Sequence, residues 1–154
     1  MISVLTVWGG GAVDDPLALE SQVCFALVTA ARNVVGVYRP VLEPLGLTHP
    51  QYLVMLALWE ESPRSLGALA AALAMEPATL SPLVKRLEAQ GRVVRRRRAD
   101  DERVLDIALT DAGQALRAQA LSVPAQIMQR TGLDAAALAA LRDGLAPFAA
   151  SPRD

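Results

Sequence analysis

The sequence predicts a mainly α-helical chain with one small β-hairpin, and three observations carry this. Alanine and leucine supply about a third of the residues while aromatics are only 4%, a balance that favours helices over a sandwich of strands. Apolar residues recur at spacings of three, four and seven along most of the chain, the period of helices buried on one face. The exception is a short region in which Val93-Val94 and four arginines precede Val104 to Leu109. There Leu105, Ile107 and Leu109 alternate with Val104, Asp106 and Ala108, the period of a half-buried strand. With 154 residues, 53% of them apolar, the chain suits one domain with a real core.

Each element has its own local signal. Residues 1–13 read as a loose arm. Asp14-Asp15-Pro16 is expected to start a helix, because acidic residues favour its N-terminal end and proline is tolerated in the first turn. The stretch 17–38 carries a stripe at Cys24, Leu27, Val28, Ala31, Val34, Val35 and Tyr38. Pro40 and Pro44 are expected to stop it. Residues 46–50 read as a turn. Residues 51–60 read as a short apolar helix with Leu53, Met55, Leu56 and Trp59 inward, ended by Ser62-Pro63. Ser65 is a good N-cap for a helix over 66–73 with Leu66, Leu69, Ala70 and Leu73 on one face. After a turn at Ala74 to Glu76, Pro77 fits the first position of a helix running to about Gln90, with Leu80, Leu83, Val84 and Leu87 inward. Gly91 closes it in the left-handed region.

Residues 65–91 therefore read as a helix-turn-helix, and the charged hairpin behind it makes the whole a winged helix. Thr110 is expected to cap a helix over 111–130 that Pro124 bends. Gly132 breaks it, and Asp134 caps a last helix to about Phe148. Leu133, Leu138, Leu141, Leu145 and Phe148 there have little charge around them. The apolar surplus at both ends suggests helices that meet a second copy. The expected organisation is a flexible arm over 1–13 and a single subunit over 14–154. Within it, 14–48 and 111–154 are dimerisation helices and 49–110 is a winged helix-turn-helix lobe.

Several classes of function drop out. No apolar run of about 20 residues exists, so no membrane span is expected. The apolar start has no basic region and is broken by Gly9-Gly10-Gly11, which argues against a signal peptide. The single cysteine excludes an internal disulfide framework, and with one histidine a metal site or a histidine-based triad is not expected. No Gly-rich phosphate loop appears. The expectation is a cytoplasmic non-enzyme without cofactor or metal.

The formal net charge is −1, but it is unevenly spread. Residues 85–103 hold eight Lys/Arg against four Asp/Glu, net +4, and the other 135 residues hold seven against twelve, net −5. An anionic partner must meet that one segment. Charge runs are usually solvated faces, yet this one sits where a wing belongs. Double-stranded DNA needs a helix in the major groove and cations on its phosphates. The 77–90 helix offers Pro77, Ala78, Thr79, Ser81, Pro82, Lys85 and Arg86 off its apolar face, its first turn towards base edges. Arg95, Arg96, Arg97 and Arg98 come next, on the wing. A strand sends alternate residues to opposite faces, so only part of this run can point at one groove.

These residues carry a resemblance. Gln22-Val23-Cys24-Phe25-Ala26-Leu27, Tyr38-Arg39-Pro40, His49-Pro50-Gln51-Tyr52, Thr79-Leu80-Ser81-Pro82-Leu83-Val84-Lys85-Arg86-Leu87-Glu88 and Asp101-Glu102-Arg103 together resemble the MarR family. More narrowly they resemble its OhrR branch, the organic-hydroperoxide-sensing repressors, from about residue 20 to 130. The resemblance implies a homodimeric winged-helix repressor on a pseudo-palindromic operator. It implies Arg103 in the minor groove, held by Asp101; the plain alternative is a surface ion pair worth under ~1 kcal/mol. The branch usually has Asp-Ser-Gly before the Thr-Leu pair, where this chain has Glu76-Pro77-Ala78. Glutamate is a poorer cap, and the serine hydroxyl is gone.

Cys24 has two readings. One is a small buried hydrophobe. The other is a redox switch, matching the reactive cysteine of the branch, whose thiolate a peroxide oxidises to a sulfenic acid. Without a second cysteine the product is a sulfenic acid, a sulfenamide or a mixed disulfide with a small thiol. The resemblance implies that the Tyr38 hydroxyl contacts the reactive sulfur. Cys24 and Tyr38 are 14 residues apart, about 21 Å along one helix, so in a continuous helix the contact must come from a second subunit. The branch's two further tyrosines correspond to Val28 and His49. Val28 cannot donate a hydrogen bond. His49 either replaces a phenol or is a loop residue before Pro50. The alternatives to peroxide sensing are a regulator released by a small aromatic or anionic ligand, a thiol peroxidase, and a protein-binding winged helix.

Overall fold

A computed structural model describes residues 15–149; Asp14 and the arm expected over 1–13 lie outside the described residues. The chain divides into two compact units between Val37 and Tyr38. The first opens on a turn in which Asp15 Oδ1 accepts from the Leu17 amide at 2.9 Å, then a 3-10 turn, Leu19–Ser21. Helix α1 is Val23–Leu42. Asp15 and Pro16 therefore do not start the long helix, because the Asp15 carboxylate satisfies its own turn instead. Nor does Pro40 stop it. Two residues before the helix end, it removes only the bond to the Gly36 carbonyl. Pro44 lies in the adjoining 3-10 turn, Glu43–Leu45.

In the second unit, α2 spans His49–Glu60 and begins earlier than expected. Thr48-His49-Pro50-Gln51 is a capping box: Gln51 Oε1 accepts from the Thr48 amide at 2.9 Å, and Thr48 Oγ1 from the Gln51 amide at 3.4 Å. Its inward face also differs from expectation. Tyr52, Val54, Met55, Ala57 and Leu58 are buried, whereas Leu53 and Trp59 are half-buried and Leu56 is 42% exposed. This helix is apolar on every side, so periodicity alone does not say which side turns in.

Next come β1 (Arg64–Ser65), α3 (Leu66–Ala72), α4 (Pro77–Ala89), β2 (Val93–Arg97) and β3 (Leu105–Leu109). The strands form one antiparallel sheet in the order β1-β3-β2. Strand β1 was not expected, being only two residues long. Ser65 caps α3, its Oγ accepting from the Ala68 amide at 3.1 Å. Gly91 adopts φ 71° after α4, where a side chain would be strained. Leu69, Leu80, Val84, Leu87, Val93 and Ile107 are all buried with the inner face of α2. Each such leucine contributes on the order of 2 kcal/mol by leaving water.

Thr110 ties the hairpin to the next helix, α5 (Asp111–Ala120). Its Oγ1 accepts from the Gly113 amide at 3.0 Å and donates to the Gly91 carbonyl at 2.6 Å. Its amide donates to the Arg92 carbonyl at 3.1 Å. Helix α5 passes so close here that a Cβ on Gly113 would strike the Arg92 carbonyl. The Trp59 indole N–H donates to the Gly113 carbonyl at 3.0 Å. The helix expected over 111–130 is two helices, α5 and α6 (Val123–Thr131). Pro124 has no N–H for the Ala120 carbonyl, and its ring crowds that position, so the helix breaks at Leu121-Ser122 rather than bending. Gly132 closes α6. Helix α7 (Ala135–Ala149) starts at Asp134, whose Oδ1 accepts from the Ala137 amide at 2.8 Å. None of its described residues is buried. No single described helix is long and apolar enough to cross a membrane.

Candidate nucleic-acid interface and sensor residues

Helices α3 and α4 meet at 109°, within the range of helix-turn-helix pairs. Burial of Leu80, Val84 and Leu87 turns the opposite face of α4 outward. Pro77, Ala78, Thr79, Pro82, Lys85 and Arg86 are exposed there, and Ser81 is half-buried beside them. Glu76 is the N-cap but its side chain makes no capping bond, as its extra methylene leads one to expect.

The hairpin register sorts the four arginines. Arg95 pairs with Ile107 and Arg97 with Leu105, while Arg96 pairs with Asp106, so neighbours lie on opposite faces of the sheet. Arg95 is half-buried and its Nε donates to Glu88 Oε2 at 2.6 Å. Arg98 forks onto Asp106 with bonds of 2.9 and 2.6 Å. Arg97 Nη1 reaches the carbonyls of Glu102 and Arg103 at 3.3 and 3.4 Å, bracing the wing turn. Asp101 Oδ1 accepts from the Arg103 backbone amide at 3.1 Å, so it holds the backbone of Arg103 rather than its guanidinium. Among the described residues, Lys85, Arg86, Arg96 and Arg103 have no ion-pair partner. The hydrogen bonds from Arg95 hold the Glu88 carboxyl below its ordinary range, and Arg98 does the same for Asp106. Both carboxylates therefore stay ionised well into acid.

The residues singled out for sensing are placed as follows. Cys24 is exposed, in the first turn of α1, which sets aside its reading as a buried hydrophobe within this chain. Val28 is 47% exposed. The Tyr38 and His49 rings meet edge-on with centroids 5.1 Å apart, and Tyr52 lies 6.1 Å from Tyr38 on a tilted plane. His49 is thus the first residue of α2, packed on an aromatic ring. Burial lowers its pKa from the usual 6.5. Burial, then the neighbouring Tyr38, raises that of Tyr52. Sequence reasoning missed Tyr52. The signal was present, since positions 49 and 52 are three apart on one helix and share a face.

A helix-turn-helix whose outer helix and wing carry unpaired cations defines the class: a winged-helix, DNA-binding transcriptional regulator. Comparison with known proteins agrees. Residues 36–119 match the family described as transcriptional regulator SarA/Rot. The chain is 44% identical to the HTH-type transcriptional regulator TtmR of Methylorubrum extorquens over 133 residues, 86% of this chain and 68% of that protein. It is 38% identical to the organic hydroperoxide resistance transcriptional regulator of Bacillus subtilis over 114 residues, 74% of this chain and 78% of that one. Among solved structures it resembles reduced AbfR bound to DNA, with 39% identity, a TM-score of 0.64, and 68% and 73% of the two chains covered. It also resembles CouR of Rhodococcus jostii bound to p-coumaroyl-CoA, with 27% identity, a TM-score of 0.75, and 90% and 99% covered. The chain belongs to the MarR family of winged-helix transcriptional regulators and is similar to its OhrR-like branch.

Proposed function

We propose that this regulator is a homodimeric, sequence-specific repressor that leaves its operator when an organic hydroperoxide oxidises Cys24. The observation that carries the reading is the exposed thiol of Cys24 on a helix whose apolar side this chain leaves open. Val23, Val28, Val34 and Val35 of α1 and Leu141 and Phe148 of α7 are all exposed, more apolar surface than an isolated subunit favours. A second copy covers it. The similarity to a hydroperoxide-resistance regulator supports the choice of oxidant.

In the reaction the Cys24 thiolate attacks the terminal oxygen of the hydroperoxide. An S–O bond forms and the O–O bond breaks. The sulfur loses two electrons, and the peroxide leaves as an alkoxide that takes a proton to become the alcohol. Cys24 and Tyr38 sit on one continuous helix, so a hydroxyl beside the sulfur comes from the partner subunit's Tyr38. His49 and Tyr52, packed on that ring, orient it. A polar sulfenic acid in this interface shifts subunit packing and with it the spacing of the recognition helices. On the DNA side, Pro77, Ala78, Thr79, Ser81, Pro82, Lys85 and Arg86 face the major groove. Arg96, Arg97 and Arg103 meet the backbone and minor groove, with Asp101 fixing the turn. The test is Cys24→Ser: operator binding persists and no longer responds to cumene hydroperoxide. Wild-type protein that stays bound after oxidation sinks the reading.

One observation favours a second reading, release by a small aromatic acid. A cleft of about 380 Å³ between α2 and α5–α6 is lined by Tyr52, Leu56, Trp59, Glu60, Arg117 and Leu121, among others. Aromatic walls and the Arg117 guanidinium suit an anionic aromatic molecule. Release of DNA by such a ligand in the Cys24→Ser protein, lost on Arg117→Ala, distinguishes it.

A further inference from the structure

Glu88 stands out on an otherwise cationic face. It lies in the last turn of α4, close to where phosphates would run, and a carboxylate there repels DNA. Both its oxygens are spent on a single residue of the wing. Oε1 accepts from the Arg95 backbone amide at 3.0 Å, and Oε2 from Arg95 Nε at 2.6 Å. The backbone bond matters as much as the ion pair. β2 is an edge strand, so the Arg95 N–H points away from β3 and towards α4, where Glu88 meets it. The register places Arg95 directly across from fully buried Ile107, so its side chain leaves the sheet on the face of the lobe's core. Arg96 leaves on the other face. The two ends of the ion pair are 30% and 32% exposed, shielded more than a surface pair.

We infer that Glu88 is a positioning residue for DNA recognition. It clamps the wing to the C-terminal end of the recognition helix through Arg95, so that the two elements dock as one rigid surface. Arg95 is thereby withdrawn from the phosphates. Reaching one would mean breaking a charge-assisted bond and leaving Glu88 bare against the DNA. The phosphate contacts of the strand then fall to Arg96 on the opposite face. The inference concerns how the lobe grips DNA and is independent of the signal that releases it.

The experiment uses a duplex selected from random-sequence DNA by the wild-type protein, and a scrambled duplex of equal composition. Binding of Glu88→Gln, Arg95→Gln, the double variant and Arg96→Gln is measured across a series of salt concentrations, with thermal melts to verify folding. Loss of the clamp is expected to weaken the selected duplex roughly tenfold, the worth of one charge-assisted hydrogen bond. For Glu88→Gln the scrambled duplex is held as tightly as before or more so, because a repelling charge has gone. Arg95→Gln is expected to lose the same factor with the salt dependence unchanged, and the double variant to be no worse than either single one. Arg96→Gln is expected to flatten the slope of log affinity against log salt by about one. The inference is overturned if Arg95→Gln flattens that slope by about one, which marks a phosphate contact. It is equally overturned if Glu88→Gln tightens both duplexes alike.

Discussion

The lobe over residues 49–110 and the helices at the two ends are built from similarly apolar sequence but bury it differently. In the lobe, Leu69, Leu80, Leu87 and Ile107 are sealed completely by neighbours from other elements. In α1 no residue before Val41 is buried, and in α7 none of the described residues is. The lobe closes its own core around four helices and a sheet. The terminal helices present stripes that this chain does not cover. Hydrophobic periodicity reports that a face will be buried, and says nothing of whether the same molecule does the burying.

Substitutions can break or sharpen that contrast. The largest effect is expected from Leu80→Ala, which leaves a cavity in the sealed core and costs about 2–5 kcal/mol in denaturant unfolding. Leu141→Ala, on α7, should move the stability of the isolated subunit by less than about 0.5 kcal/mol. It should act on self-association instead, read by sedimentation as a weaker dimer. Equal costs at the two positions would erase the distinction. Next is Gly113→Ala. Its new methyl meets the Arg92 backbone, which cannot swing away as a side chain would, and about 1–3 kcal/mol of stability is expected to go. Smaller and of opposite sign is Glu76→Asp, which gives α4 the capping oxygen that it lacks and should add about 1 kcal/mol. A shift of the unfolding midpoint to lower denaturant would refute it.

The smallest effect is set by pH. Burial holds the His49 pKa below 6.5, so the unfolded chain takes up the proton first as pH falls. Stability should therefore decline from pH 6.5 down to the lowered folded value and then level off. His49→Gln should remove that slope while leaving the loss at still lower pH. There Glu88 and Asp106, whose carboxyls are held low by their arginines, finally protonate. Melting curves of the two proteins at matched pH decide it.

Much of the lobe was legible because its borders are chemically marked. Ser65 caps α3, Pro77 opens α4, Gly91 closes it, and the apolar positions between keep helical spacing. What could not be read depended on partners distant in sequence. β1 is strand only because Arg64 and Ser65 lie against Ile107 and Asp106. The inward side of α2 is chosen by what packs on it, since its sequence offers apolar residues all round. Pro124 announced a disturbance but not whether α5 would bend or break. Of the site, the exposed face of α4 was readable from spacing. The division of the arginine run was half readable: alternation shows that the run must split, but not that Glu88 claims Arg95 or Asp106 claims Arg98.

The sheet order has a consequence for the protein in concentrated solution. β1 leaves only two residues on one side of the sheet, too few to template another strand. β2 offers five residues on the other side, the length at which two copies could join edge to edge into a continuous ribbon. That edge carries Arg95, Arg96 and Arg97, with Arg98 just beyond, and one of its outward amides is already taken by Glu88. Two such edges brought together would set like charges face to face. The same arginines that suit the wing to a phosphate backbone keep one molecule's wing from polymerising with the next.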